Sequence, residues 1–239
     1  MKSTDISSKK KNIGEIRFEW LLCQRGCSFV DEHNLEKKIS VKSKRPDYFA
    51  WRNNISFLVE IKEFEAAGPL DNKSRCGVVA VNDILDRLRR PLDEAAKQLK
   101  PYIDLKVARI VVFDNNQRIG VPTSPLEIIQ LFGTIYRRLN INQENGKLED
   151  EGWKHGPRQI ITRDRKQYIS AVAVNLPKAS HAYCDQVDIE RPMRLQIIHN
   201  PYASYPLDKS LFIDPEDEHF EMVDGEWING ITSERLLSM

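Results

Sequence analysis

Four cysteines in 239 residues, with no C-x-x-C pair and no regular spacing, leave neither a disulfide framework nor a zinc ribbon to build on. Reduced thiols in a cytoplasmic protein fit that usage. No apolar run approaches the roughly 18 residues a membrane helix needs. Met1 to Lys11 is polar and lysine-rich, without the apolar stretch of a secretory signal, so residues 1–12 read as a disordered tail. There is no G-x-S-x-G, H-E-x-x-H, G-x-G-x-x-G or Walker loop, which removes the serine-hydrolase elbow, the zinc-protease helix and the usual nucleotide cradles. The five histidines are scattered. His155, His181 and His219 lie in polar stretches, and Cys184 near His181 lacks the further ligands of a zinc site. His199 ends an apolar segment and reads as a packed histidine. No helix-turn-helix, zinc-finger spacing or RNP motif indicates base-specific reading.

What remains is an ordinary globular composition, 41% hydrophobic, with a formal net charge of +1 that hides an asymmetry. Residues 1–109 carry 22 Lys and Arg against 16 Asp and Glu, and residues 208–239 carry 2 against 9. The basic front half is compatible with a polyanion but does not by itself require one.

Ile13, Ile16, Trp20 and Leu21 recur at roughly helical spacing before Gly26, predicting a helix over 13–25. Strands are predicted over 37–42, 46–51 and 55–64. Gly68–Pro69 starts a loop. Asp83 to Tyr102 reads as helical but broken at Pro91, with Leu92, Ala95, Ala96 and Leu99 as its second buried stripe. "VARIVVF", residues 107–113, is an unbroken β-branched run, as in a buried central strand. A helix over 125–139 follows, then a Gly/Glu/Asp-rich break at 142–157, strands at 167–174 and 194–199, and a turn-rich end. We read residues 13–239 as a single α/β domain.

The stretch "RPDYFAWRNNISFLVEIKEF" carries the chemistry. Along 55–64 the side chains alternate, so Glu60 and Lys62 share one face and Phe57, Val59 and Ile61 the other. A two-residue turn at Asn53–Asn54 pairs 52 with 55, 51 with 56 and 47 with 60, setting Asp47 opposite Glu60. Two carboxylates so placed repel and call for a cation. Mg²⁺ prefers such oxygens, and Lys62 one pleat further can hold a water beside it. Metal-assisted attack of water on a phosphodiester uses those parts. The same residues also make an ordinary solvated Glu/Lys strand face.

Pro46–Asp47 followed by Glu60–Ile61–Lys62 resembles the PD-(D/E)XK nuclease superfamily. So does "GEIRFEWLLCQRG", with Gly26 eleven residues after Glu15. Gln98 and Tyr102 match the Q-x-x-x-Y of its RecB-like branch. The resemblance covers roughly 13–113, leaving 114–239 as an extension. It implies a restriction-endonuclease-like core, a mixed central sheet flanked by helices. It implies Asp47, Glu60 and the Ile61 carbonyl as ligands of Mg²⁺ or Mn²⁺, Lys62 as the water-positioning cation and Glu15 as an additional ligand. Glu19, one turn on, could stand in for Glu15 but reads better as surface charge. Gln98 and Tyr102 would line the site and touch nucleic acid, unless Tyr102 is a core-edge residue displaced by Pro101. Lys44, Arg45, Arg87, Arg89 and Arg90 are candidate phosphate clamps or merely solvated charge.

These readings make the chain a metal-dependent nuclease, a hydrolase acting on DNA ahead of RNA as endonuclease or exonuclease, with no membrane partner and a homodimer left open. The rival is a non-catalytic nucleic-acid-binding or interaction module on the same fold.

Overall fold

The computed structural model describes residues 11–40, 44–63, 81–114, 125–133, 135–141, 147–155, 159–178, 192–224 and 226–229, with backbone alone at 81–87, 126, 135–141, 148–155 and 226. The expected tail therefore lies almost wholly outside the described residues, as do Gly68–Pro69, Cys76, His181 and Cys184.

In chain order the strands are β1 (Ser28–Asp31), β2 (Tyr48–Arg52), β3 (Ile55–Glu63), β4 (Ala108–Asp114), β5 (Ile135–Ile141), β6 (Leu148–His155), β7 (Ala171–Pro177), β8 (Met193–His199), β9 (Glu218–Val223) and β10 (Glu226–Asn229). The helices are α1 (Ile13–Gln24), α2 (Val81–Leu99) and α3 (Pro125–Ile129). Eight strands form one mixed sheet in the order β1-β2-β3-β4-β7-β8-β9-β10, and β5 and β6 pair as a separate hairpin. Strands from both sides of residues 142–157 thus lie side by side, β4 running parallel to β7. The protein is an α/β structure with few helices. Among the described residues no helix is long and apolar enough to cross a membrane.

α1 begins at Asn12, whose side chain accepts the Glu15 N–H at 2.7 Å. It ends in a Schellman motif: Gly26 at φ +65° donates to the Cys23 carbonyl at 3.0 Å and Cys27 to that of Leu22 at 2.9 Å. The buried face is Gly14, Arg17, Phe18, Leu21 and Leu22, while Trp20 is 40% exposed. The apolar spacing mis-set this face because it could not count Arg17, which is buried against Asp114 of β4.

α1 and residues 207–212 cover one side of the sheet, packing on Phe57, Val59, Ile61, Ile110 and Val112. α2 and α3 cover the other, packing on Leu58, Val111, Phe113, Val172 and Val174. All seven residues of β4 are buried, the apolar Ile110–Phe113 stretch as the sequence predicts and the charged Arg109 and Asp114 with it.

The β2–β3 hairpin has the expected register, Arg52↔Ile55, Trp51↔Ser56 and Tyr48↔Val59. Asn53 at φ 49° and Asn54 at φ 66° make the tight turn with both central residues left-handed.

Other elements differ from the sequence reading. Residues 35–37 form a 3₁₀ turn burying Leu35, and the edge strand is the shorter β1, too brief to show alternation. α2 runs through Pro91, because its buried stripe of Leu88, Leu92, Ala95, Ala96 and Leu99 continues on both sides and offsets a proline's cost of about 3 kcal/mol. α2 ends at Leu99 and gives way to a 3₁₀ segment, Lys100–Leu105, with Pro101 in its first turn. The helix expected over 125–139 stops at Phe132, where Gly133 at φ 140° turns the chain into β5. β6 lies inside the 142–157 break, and β9 and β10 in the end taken as turns. β7 starts at 171, not 167, because Ser170 is spent on Arg109, donating to its carbonyl at 2.7 Å and accepting its N–H at 2.8 Å.

Candidate active site

β3, β4 and β7 run parallel, and their carboxyl ends gather polar residues, the place where open α/β sheets present groups to a ligand. Two clusters stand there, one on each side of the sheet.

Leu58, Glu60 and Lys62 of β3 face α2. Asp47 precedes β2, and the hairpin register carries it opposite Glu60. The last backbone pair of the ladder is Tyr48↔Val59, and the next free donor, the Ile61 N–H, is taken by Asp47 Oδ2 at 2.6 Å. The aspartate thus closes the strand end and keeps Oδ1 for another partner. Glu60 is 1% exposed. Its Oε1 accepts Lys62 Nζ at 2.7 Å, while Oε2 is buried with no hydrogen-bond partner. A buried carboxylate oxygen without a partner is costly.

Burial, then the charge of Asp47, push the Glu60 carboxyl up to about 8 against the pull of Lys62. Burial pushes Asp47 up to about 6, Glu15 and Glu32 adding to it while the Ile61 N–H and Lys62 oppose. Burial and the neighbouring Asp47 charge thus favour the protonated form of Glu60. Glu15, the third residue of α1, lines a crevice of about 10 Å³ with Asp47, Asp31, Glu32, His33, Lys11 and Tyr48, room for roughly one water-sized particle.

The donor set of two carboxylates, one with an unpartnered oxygen, suits a hard divalent cation. Among the described residues no three His, Cys, Asp or Glu side chains come together as a metal-holding group. The expected set is correspondingly thin: two acids, a main-chain carbonyl at Ile61, and Glu15 at the crevice. Glu19 is engaged elsewhere, with Lys11 and with the Tyr48 hydroxyl at 3.0 Å.

Of the expected nucleic-acid contacts, Gln98 meets the site directly. Its Oε1 accepts Lys62 Nζ at 3.0 Å and its Nε2 donates to the Arg45 carbonyl at 3.3 Å. Tyr102 is buried at 1% exposure, and its hydroxyl donates to the Lys44 carbonyl at 2.8 Å. It is the core-edge residue of the two readings, holding the 44–45 segment from beneath. The change to 3₁₀ geometry at Pro101 explains why it turns inward. Lys44 and Arg45 are exposed and border a groove of about 590 Å³ with Lys97 and Gln98. Arg89 is exposed and borders a different groove, with Ile160 and Arg165. Arg90 is exposed and paired with Glu94 at 3.1 Å. The Arg87 side chain lies outside the described residues.

The second cluster, on the α1 side, escaped the sequence. Asp114 ends β4 and accepts Asn175 Nδ2 at 2.9 Å, with Arg17 at 3.6 Å. Burial pushes Asp114 up to about 6, against Arg17 and Asn175. Glu63 accepts the Gly14 N–H, fixing the start of α1 and so the placement of Glu15. An acid closing a largely apolar strand was the available signal. His199 is indeed packed, its Nε2 2.9 Å from Nδ1 of His219, which sits on β9 rather than in a loop.

This close approach makes a test. A Cβ at position 14 would lie 2.9 Å from Asp114 Cβ and 2.9 Å from Glu63 Oε1. Gly14→Ala should cost about 1–3 kcal/mol in urea unfolding, overriding the gain of about 1 kcal/mol that alanine brings to a helix. Stabilisation by the substitution would show that the contact yields freely.

Comparison with known proteins gives no assignment: no protein-family model, curated protein or solved structure matches the chain.

Proposed function

We propose that this protein is a metal-dependent nuclease, hydrolysing phosphodiester bonds in nucleic acid, DNA ahead of RNA, on a restriction-endonuclease-like core. The observation that carries the reading is the buried, unpartnered Glu60 Oε2 beside Asp47, with Lys62 against the same glutamate. Asp47, Glu60, the Ile61 carbonyl and Glu15 would hold Mg²⁺ or Mn²⁺. Such an ion supplies charge neutralisation and an acidified water. Lys62 presents its ammonium where charge develops on the phosphate, and Gln98 fixes its direction through the 3.0 Å bond. The order of elements supports the reading too: α1, a β1–β2–β3 meander, α2 and the buried β4, with the acids on the second and third strands' ends.

The Lys62–Glu60 ion pair favours a second reading, a non-catalytic nucleic-acid-binding module in which the lysine alone neutralises the glutamate. Incubation of the protein with plasmid, linear duplex, single strands and RNA, with Mn²⁺ and with chelator, separates the two. Cleavage that requires Mn²⁺ is the expected result. Mn²⁺ binding absent in titration, together with intact substrates, would leave the second reading.

A further inference from the structure

We propose that the exposed face of α2 and the Thr162–Arg165 turn form a track for the phosphodiester backbone of a nucleic acid, leading from the Lys62–Gln98 edge of the site. The proposal rests on the nuclease reading for where the track leads, and on the surface itself for what the track binds.

Arg89, Asp93 and Lys97 are spaced along α2 so that they share one face, and Lys100 follows at the start of the 3₁₀ segment. Asp93, the acid among them, is consumed by Lys166, 2.6 Å away and only 7% exposed. That ion pair does more than neutralise. Lys166 is left-handed at φ 61° and follows a tight turn in which Thr162 and Arg165 exchange backbone hydrogen bonds at 3.0 and 3.2 Å. Anchored to α2 in this way, the turn holds Arg163 and Arg165 outward, both exposed.

Between the turn and α2 lies a cavity of about 700 Å³, bordered by Lys97, Lys100, Arg165 and Tyr168 among others. Lys97 is shared with the groove of Lys44, Arg45 and Gln98, and Gln98 touches Lys62. Arg165 is shared with the groove of Arg89. Over these three hollows, linked by the shared residues Lys97 and Arg165, the cations outnumber the acids seven to four, in a chain whose net charge is only +1. From Gln98 back to Arg89 is about 14 Å of helix.

The partner's class follows from shape and polarity. A membrane surface calls for an apolar face beneath the basic one. Of the exposed large hydrophobics among the described residues, only Ile103 borders these hollows. Concave, basic grooves edged by a tyrosine suit a nucleic-acid backbone with bases left unread. Contacts to phosphates carry no sequence information, so the track should be indifferent to sequence.

The test is fluorescence anisotropy with a fluorescein-labelled duplex and a single strand of about 20 nucleotides, in chelator, across roughly 50 to 200 mM salt. Arg163→Glu/Arg165→Glu should bind at least about tenfold more weakly, with a log–log salt slope shallower by about two. Lys97→Ala/Lys100→Ala should do the same, and both should melt like wild type because the side chains are exposed. Unchanged affinity and slope in both variants overturns the track, as does binding to phosphatidylserine vesicles in preference to DNA. Cleavage of plasmid by wild type in Mn²⁺ is scored separately. Cleavage with variants that bind normally sinks the track and spares the nuclease; track-dependent binding without cleavage does the reverse.

Discussion

Replacing Lys62 with alanine should slow phosphodiester cleavage by at least about a hundredfold at saturating substrate, while DNA and Mn²⁺ still bind. The lysine is 20% exposed and holds Glu60 Oε1 at 2.7 Å, with Gln98 at 3.0 Å behind it. A cation so placed bears on charge that develops in the transition state, and its loss lowers turnover more than affinity. The ion pair adds a sharper expectation. Lys62 also competes for the Glu60 carboxylate, so well above pH 8, where that carboxyl is ionised, its removal should leave Mn²⁺ affinity held or tightened. A merely structural lysine predicts the opposite pattern, with lower stability, weaker metal binding and unchanged turnover at saturation. Measuring kcat, KM and Mn²⁺ affinity on one preparation decides between them. Wild-type turnover in Lys62→Ala would remove the lysine from the chemistry.

The hairpin was legible because its signals agree. Strict alternation over Ile55–Glu63 sets the faces, and Asn53–Asn54 supplies two left-handed residues, so the pairing of 47 with 60 follows by counting. β4 was legible for a different reason. Buried on both faces, it is apolar from Ile110 to Phe113, and a short run of that kind suits a central strand; Arg109 and Asp114 are the buried charges at its ends. The second half was less readable because its signals compete. The stretch from Ile135 to Ile141 mixes apolar and basic residues in a way that fits a helix end as well as a strand, and only Gly133 at φ 140° decides the matter. β9 and β10 carry acidic residues on an edge of the sheet, where alternation is weak and Pro and Asp suggest turns.

The site was legible on the strand that bears it and obscure where tertiary contacts complete it. Glu60 and Lys62 are two residues apart, and Asp47 is fixed by register. Glu63, by contrast, points to the opposite side of β3, and its role appears only when Gly14 is brought to it from 49 positions away. Arg17 and Asp114 look like a surface charge and a strand-ending acid until each is seen buried on the other. Lys166 and Asp93 likewise become an anchor only through the fold. Tyr102 shows the converse failure. The Q-x-x-x-Y spacing presumes a continuous helix, and α2 ends at Leu99, so the two side chains part: Gln98 to Lys62, Tyr102 into the core.

Without metal, the protein should lose stability as pH rises from about 4.5 to about 8, and Glu60→Gln should remove much of that loss. The sign follows from proton counts. In the folded protein Glu60 holds its proton up to about 8, whereas an exposed glutamate releases it near 4.5. Across that window the folded state binds more protons than the unfolded one, so unfolding becomes easier as pH rises. Asp47, raised to about 6, acts in the same direction over a lower range. Each pH step of one across the window is worth about 1.4 kcal/mol, so the Glu60 contribution reaches on the order of a few kcal/mol by pH 8. His199, held down to about 3 by burial and by His219, works oppositely below pH 6.5, where the unfolded state gains protons. Being common to both proteins, it cancels in the difference between their melting curves. The two proteins should therefore melt alike near pH 4.5 and diverge steadily above it, Glu60→Gln the more stable, with Asp47→Asn diverging less and at lower pH. Asparagine keeps an oxygen for the Ile61 N–H, so the strand end stays closed. Mn²⁺ added at pH 8 should raise the melting temperature of wild type by mass action and leave Glu60→Gln where it was. A flat difference curve would show that Glu60 ionises freely in the folded protein, and with that the reason for a cation at this site would be gone.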